Sequence, residues 1–180
     1  MKYMFASDVH GSAYYCRKML DVYKEEKAER LVLLGDLLYH GPRNDLPREY
    51  APKQVISMLN DMKKEIYAVR GNCEAEVDQM VLQFPVMADY CILNLDGRTF
   101  YATHGHIYNE NNLPPIQEGD ILIHGHTHVL KAEQKEGYVL LNPGSVSIPK
   151  EGNPPTYALF EDGVFTIKDF EGNIVKSIEL

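Results

Sequence analysis

Seven polar side chains in this sequence share one kind of address: each stands just behind a short apolar run. They are Asp8, His10, Asp36, Asn72, His104, His126 and His128. Carboxylates, imidazoles and an amide oxygen together suit divalent cations of intermediate hardness, such as Mn²⁺, Zn²⁺, Fe²⁺ or Co²⁺. Three scattered cysteines (Cys16, Cys73, Cys91) cannot build a thiolate site. So many imidazoles also argue against an all-oxygen Mg²⁺ or Ca²⁺ cage. Seven donors exceed what one tetrahedral zinc takes. They suit two cations about 3.5–4 Å apart that share a carboxylate. Such a pair outweighs two carboxylates and a bridging hydroxide, so the site stays positive and attracts a phosphoryl oxygen. Asp8/His10 and His126/His128 are spaced i, i+2, which in extended chain puts both side chains on one face.

Each piece alone has a bland explanation. Asp8 can cap a helix, Gly35-Asp36 and Gly71-Asn72 are common turns, and a lone His104 is an ordinary half-buried histidine. The joint placement is what these explanations do not cover. Six of the seven histidines fall in three tight groups: His10, then His104 and His106, then His124, His126 and His128.

The elements that must position these residues are legible from patterning. Lys2–Ser7, Leu31–Leu34 and Ile66–Val69 read as buried strands, each ended by a turn. Ser12 caps a helix running to about Lys27, with Ala13, Cys16, Met19, Leu20 and Tyr23 on one face. A second helix spans Pro52 to Met62 and a short one about Glu74 to Leu82. The order β-α-β-α-β predicts a parallel sheet with right-handed crossovers, whose ligands bind beyond the carboxyl ends of its strands. Residues 37–50 form a long loop. Cys91–Leu95 and Arg98–Thr103 flank Asp96-Gly97, a hairpin signal. Further strands follow at Ile121–Ile123, Leu130–Gln134, Tyr138–Leu141, Thr156–Phe160, Val164–Phe170 and Ile174–Leu180. The expectation is one domain over residues 1–180, built as two packed sheets with helices outside.

Composition narrows the class. The 180 residues carry a net charge of −8, which disfavours tight duplex nucleic-acid binding or an anionic membrane partner. No apolar run reaches the roughly 18–20 residues of a membrane span. Charge arrives too early at the N-terminus for a signal-peptide core, and the sparse cysteines fit a reducing cytoplasm. Exposed strand edges leave a homodimer or higher homo-oligomer open.

Asp8-Val9-His10, Gly35-Asp36, Gly71-Asn72, His104 and Gly125-His126-Thr127-His128 resemble, in order and strand placement, the motifs of the calcineurin-like metallophosphoesterases. The stretches Leu37–Asn44, Val69–Glu74 and Asn142–Lys150 extend the likeness to the small bacterial YfcE-type phosphodiesterases. The resemblance implies an α/β fold, a four-layer αββα sandwich of two mixed sheets flanked by helices. It implies a bimetal site, usually Mn²⁺-dependent, with Zn²⁺, Fe²⁺, Co²⁺ or Ni²⁺ as alternatives. Asp8, His10 and His128 would hold one cation, Asn72, His104 and His126 the other, and Asp36 would bridge them. Cys73 stands where many relatives have His, so a thiol would serve the leaving group. The protein phosphatases' Asp-Arg-Gly is replaced by Tyr39-His40-Gly41, which removes a phosphate-gripping arginine and argues against a phosphoprotein substrate. Arg43, Asn44 and His40 are the candidate substrate contacts, Ser145 and Lys150 candidate rim residues, and His106 and His124 candidates to orient the ligands. The expected reaction is in-line hydrolysis of a small phosphodiester by a metal-bridging hydroxide, with Asp36 and Cys73 as the catalytic residues. The rival readings are a phosphomonoesterase, a non-catalytic interaction scaffold of the same fold, or another bimetal hydrolase.

Overall fold

The computed structural model describes residues 1–180. The first half alternates β1 (Tyr3–Ala6), α1 (Ala13–Glu25), β2 (Arg30–Leu33), α2 (Pro52–Asp61), β3 (Ile66–Ala68) and α3 (Glu76–Val81). The second half is all strand: β4 (Tyr90–Leu95), β5 (Arg98–Thr103), β6 (Asp120–Ile123), β7 (Lys131–Gln134), β8 (Tyr138–Asn142), β9 (Thr156–Glu161), β10 (Val164–Asp169) and β11 (Ile174–Glu179). No helix is long and apolar enough to cross a membrane.

Local chemistry explains the boundaries. The Ser12 hydroxyl accepts from Tyr15 N at 3.2 Å and starts α1. Pro52 occupies the first turn of α2, where its missing N–H costs nothing. Asp96-Gly97 and Asp162-Gly163 each put two successive residues at positive φ (49° and 78°, 50° and 77°), the backbone of a tight hairpin turn.

One sheet runs β11-β10-β9-β1-β2-β3, with β1, β2 and β3 parallel and the rest antiparallel. The other runs β4-β5-β6-β8-β7, with β5, β6 and β8 parallel at its centre. Phe5, Phe100, Phe160 and Phe165 fill the space between the sheets with Val32, Leu34 and Ile123. α1 and α2 cover the outer face of the first sheet, through Cys16, Met19, Leu20, Val55 and Leu59. β2 is therefore buried on both faces, which is why its sequence shows no polar alternation.

The sandwich of two mixed sheets matches the expectation, but its fourth layer is not helical. The outer face of the second sheet (Tyr101, Leu122, Leu140) is covered by Ile116 from an irregular segment, and the Tyr101 hydroxyl donates to Pro115 O at 3.2 Å. Pro114 and Pro115, together with Asn109, Asn111 and Asn112, favour turns over helix.

Phe100 is fully buried and its ring lies 5.0 Å from Phe160 and 6.0 Å from Phe5. Phe100→Ala should destabilise the protein by about 3–5 kcal/mol in urea denaturation. A loss below about 1 kcal/mol would mean that the two sheets do not share this core.

Candidate metal centre

The seven polar residues all sit beyond the carboxyl ends of parallel strands. Asp8 and His10 follow β1, Asp36 follows β2 and Asn72 follows β3 in the first sheet; His104 follows β5, and His126 and His128 follow β6 in the second. The strand ends of both sheets thus open on one cleft.

The extended-chain argument for the i, i+2 pairs does not hold. Asp8 (φ 59°), His10 (49°), Asp36 (54°), His126 (65°) and His128 (60°) all adopt left-handed backbone. Non-glycine residues there cost of order 1–3 kcal/mol each and persist only when the surroundings over-determine them. Here they do: Asp8 N donates to Gly35 O (3.1 Å), His10 N to Asp36 O (2.9 Å) and His126 N to Asp8 Oδ2 (3.0 Å). The paired side chains converge because the loops coil back, which period-2 reasoning cannot see.

Asp8 Oδ1 lies 3.5 Å from His10 Nε2 and 3.3 Å from His128 Nε2, and those two nitrogens are 3.3 Å apart. Asp36 Oδ2 lies 3.7 Å from His10 Nε2 and 3.4 Å from His104 Nε2, so it faces both halves of the cluster. His104 Nε2 is 3.0 Å from Asn72 Oδ1 and 3.2 Å from His126 Nδ1. The far ring nitrogens of His10, His104 and His128 meet carbonyl oxygens of Tyr39 (2.8 Å), Leu34 (2.6 Å) and Ile148 (2.6 Å). Donating there fixes the tautomer and turns each Nε2 lone pair inward.

This donor set fits a cation. Asp8 Oδ1 is buried without a hydrogen-bond partner. With Nδ1 of each ring on a carbonyl, the Nε2 atoms of His10 and His128 lie beside it, so three ligand atoms face one point. Asp8, His10 and His128, and separately Asp8, Asp36 and His104, bring ligand atoms close enough to hold one ion each.

Charge within the cluster follows the same logic. Burial works against ionised Asp8, yet the adjacent His10 and His128 imidazoles and the His104 charge hold its pKa well below the usual carboxylate range. Burial would depress His104, but Asp36 and Asp8 outweigh it and raise its pKa to about 9. His126, half-buried and beside that charge, falls to about 4.

Two supports beneath the cluster were not singled out by sequence reasoning. The first is Glu74. Its buried carboxylate accepts from Asp36 N (2.8 Å), Leu37 N (2.7 Å) and Gly71 N (2.6 Å), tying the β2 and β3 loops together. A methyl group on Gly71 would collide with Asp36 Oδ1 and sit 2.7 Å from Glu74 Oε2, so this joint requires glycine. The only signal in the sequence was an acid two residues after Asn72. The second is Ser147, whose hydroxyl donates to Asp8 O at 3.0 Å alongside that of Ser145, also at 3.0 Å. Ser145 is buried under the site and is not a rim residue.

A cleft of about 440 Å³ lies above the cluster. His10, Asp36, Asn72, His126 and His128 form its floor, and Arg43, Asn44, Cys73 and Lys150 line its walls, as does Thr127, which had not been expected. His40 does not line it: the ring packs edge-on against Tyr39 and Tyr50, and its carbonyl accepts from Asn44 Nδ2 at 2.8 Å. The glycine at 41 turns the chain just past His40 (φ 80°), so the loop delivers Arg43 and Asn44 instead. Cys73 Sγ accepts from Asn72 Nδ2 at 3.4 Å, and burial plus the Asp36 charge push its thiol pKa up, so it keeps its proton. His124 is not in the cluster; its Nε2 pairs with Glu110 Oε2 at 3.1 Å, and Lys131 holds the other Glu110 oxygen at 2.5 Å. His106 packs 5.4 Å from the His104 ring and touches neither half directly through a nitrogen partner.

Two outcomes follow from this geometry. Glu74→Gln replaces an acceptor by an amide N–H facing backbone donors, and should weaken cation binding by about 10–100-fold in calorimetric titration. Unchanged affinity would leave Glu74 without a positioning role. Because His104 carries a proton up to about pH 9, cations compete with that proton. Cation affinity should therefore rise with pH toward 9, and binding at pH 7.5 should release protons, seen as heats that depend on the buffer's ionisation enthalpy. Identical heats in all buffers would contradict this.

The chain is similar to known proteins along most of its length. A profile of the calcineurin-like phosphoesterase superfamily domain matches residues 1–162. The chain is 46% identical to phosphodiesterase YfcE of Escherichia coli over 167 residues, 93% of this chain and 91% of that protein. A solved structure of YfcE, described as a phosphoesterase from E. coli, superposes with a TM-score of 0.97 at 43% identity, covering 99% of both chains. Vps29 from Entamoeba histolytica shares the fold at a TM-score of 0.65 and 21% identity, covering 100% of this chain and 99% of that one. With its motif residues gathered at the ends of both sheets' parallel strands, the chain belongs to the calcineurin-like phosphoesterase superfamily.

Proposed function

We propose that this protein is a two-cation phosphodiesterase whose cations are held by Asp8, His10 and His128 on one side, by Asn72, His104 and His126 on the other, and by Asp36 between them. The observation that carries this reading is the position of Asp36 Oδ2, within 3.7 Å of His10 Nε2 and 3.4 Å of His104 Nε2. Bound divalent cations would lower the pKa of water toward neutral and offset charge on the phosphoryl oxygens. The chain's own groups do the rest. Buried carboxylates and tautomer-fixed imidazoles keep the ligand atoms preorganised, so little reorganisation is needed during reaction. Cys73 holds a proton on Sγ at the cleft wall, where a departing alkoxide can take it. Arg43 and Lys150 add positive charge at the mouth, and Asn44 adds an amide.

Diester preference is supported by the phosphodiesterase relatives from E. coli and Methanocaldococcus jannaschii. It also fits the absence of an arginine at Tyr39-His40-Gly41, since a monoester dianion demands more positive charge. The mixed nitrogen and oxygen donors suit divalent cations of intermediate hardness, and the resemblance to the superfamily points to Mn²⁺ among them, with Zn²⁺, Fe²⁺, Co²⁺ and Ni²⁺ as competitors. Residues 1–180 act as one catalytic domain, supported by a core shared between both sheets. All three cysteines are free thiols, which fits a reducing cytoplasm.

The decisive experiment is turnover of bis(4-nitrophenyl) phosphate across Mn²⁺, Co²⁺, Ni²⁺, Zn²⁺ and Mg²⁺, with metal content measured in parallel. Asp36→Ala should lower kcat by more than about 100-fold, beyond the 10–100-fold typical of outer partners. Near-normal turnover of that variant at saturating Mn²⁺ would refute the shared role. A metal-free protein inactive with every ion would point to the scaffold reading.

A further inference from the structure

The cleft has a composition that constrains what can occupy it. Of the twelve residues lining its 440 Å³, none is Val, Leu, Ile, Met, Phe, Tyr or Trp, and only Gly41, Pro42 and Cys73 lack a strongly polar side chain. No Phe or Tyr faces it, so a nucleobase finds no stacking platform outside the cluster imidazoles. No aliphatic wall is present to shelter an acyl chain. A hydrophilic alcohol is what such walls accommodate.

Its charge is equally particular. The chain carries −8 overall, yet Asp36 is the only carboxylate lining the cleft, while Arg43 and Lys150 both line it. Neither cation is neutralised, because the arginine and lysine ion pairs of the molecule all involve other residues. They arrive from two different loops; the Lys150 loop is tied to His128, and the Arg43 loop meets the cluster where Tyr39 O lies 2.8 Å from His10 Nδ1 and then closes on itself. Lys150 N donates to the carbonyl of His128 at 3.1 Å, and Asn153 Nδ2 donates to Lys150 O at 2.9 Å. On the other side, Asn44 ties back to His40 O at 2.8 Å and to Gly41 O at 3.3 Å, one residue from Arg43. Two pinned backbones thus hold two free cationic heads over one polar cleft. The single negative charge of a phosphodiester is already met by the cation pair, so the rim charges are available for a second anion.

We propose that the site is built for small hydrophilic phosphodiesters whose non-leaving alcohol carries an anionic group, and that Arg43 and Lys150 select for that charge. This rests on the phosphodiesterase reading above and names the substrate class for the same site.

The test uses the Mn²⁺-loaded protein and 4-nitrophenyl phosphodiesters that share one leaving group. Their second alcohols are 3-hydroxypropanoate (anionic), 1-propanol (neutral), choline (cationic) and the 5′-hydroxyl of thymidine (aromatic). The expected order of kcat/KM at low salt is anionic over neutral over cationic, with about ten-fold between the first two, and thymidine no better than neutral. The spread should shrink at 0.5 M salt, as rim electrostatics must. In Arg43→Ala/Lys150→Ala the anionic-to-neutral ratio should fall to about one, and Lys150→Glu should move the preference toward the choline ester. These ratios are internal to each variant, so a general loss of folding or of metal does not mimic them. No turnover of any of the four esters would overturn the phosphodiesterase reading itself. Turnover with equal rates, or with choline or thymidine preferred, would overturn this inference alone. A ranking that survives intact in the double variant would remove Arg43 and Lys150 as its source.

Discussion

A crowd of inward-facing lone pairs is the constraint on which this structure turns. Asp8, Asp36, Asn72 and four imidazoles converge where the strands of both sheets end. Without a positive charge among them, Asp8 Oδ1 is buried with no partner, and the Nε2 atoms of His10 and His128 face each other 3.3 Å apart. Burying carboxylates this way costs free energy unless a proton or cation balances them. Within the cluster the balance falls on His104, whose pKa climbs to about 9. A site that recruits protons so strongly is one that a divalent cation can claim instead.

The rest of the fold keeps that arrangement from relaxing. Five of the seven residues sit in left-handed backbone, a conformation that relaxes unless it is held. Glu74 holds the β2 and β3 loops together through three backbone N–H groups. Ser145 and Ser147 hold the carbonyl of Asp8 from the other side. Carbonyls of Tyr39, Leu34 and Ile148 orient the rings. These supports come from loops separated by more than a hundred residues, and only the shared phenylalanine core between the sheets brings them within reach.

The floor and the wall of the cleft come from different parts of the fold. The floor follows from the superfamily's strand-end placement. The walls depend on residues 37–50 and 143–155, which contribute Arg43, Asn44 and Lys150 but turn His40 into a packing residue between Tyr39 and Tyr50. The wall groups therefore sit on loops carried by a rigid scaffold, the usual division of labour in α/β folds.

Local signals determined a good deal without any structure. Unbroken apolar runs marked the buried strands, Ser12 and Pro52 marked helix starts, and Asp96-Gly97 marked a hairpin, because each depends on a residue's own backbone and its neighbours. The seven candidate ligands were also readable, since each stands just behind such a strand. Tertiary structure alone decided the rest. The left-handed coil that makes Asp8 meet His10, the irregular layer over Tyr101, Leu122 and Leu140, the inward-facing role of Glu74 and the packing of His40 against Tyr50 all depend on contacts between distant segments. Side-chain direction in a loop is set by whatever packs against it, and that partner is not written in the neighbouring residues.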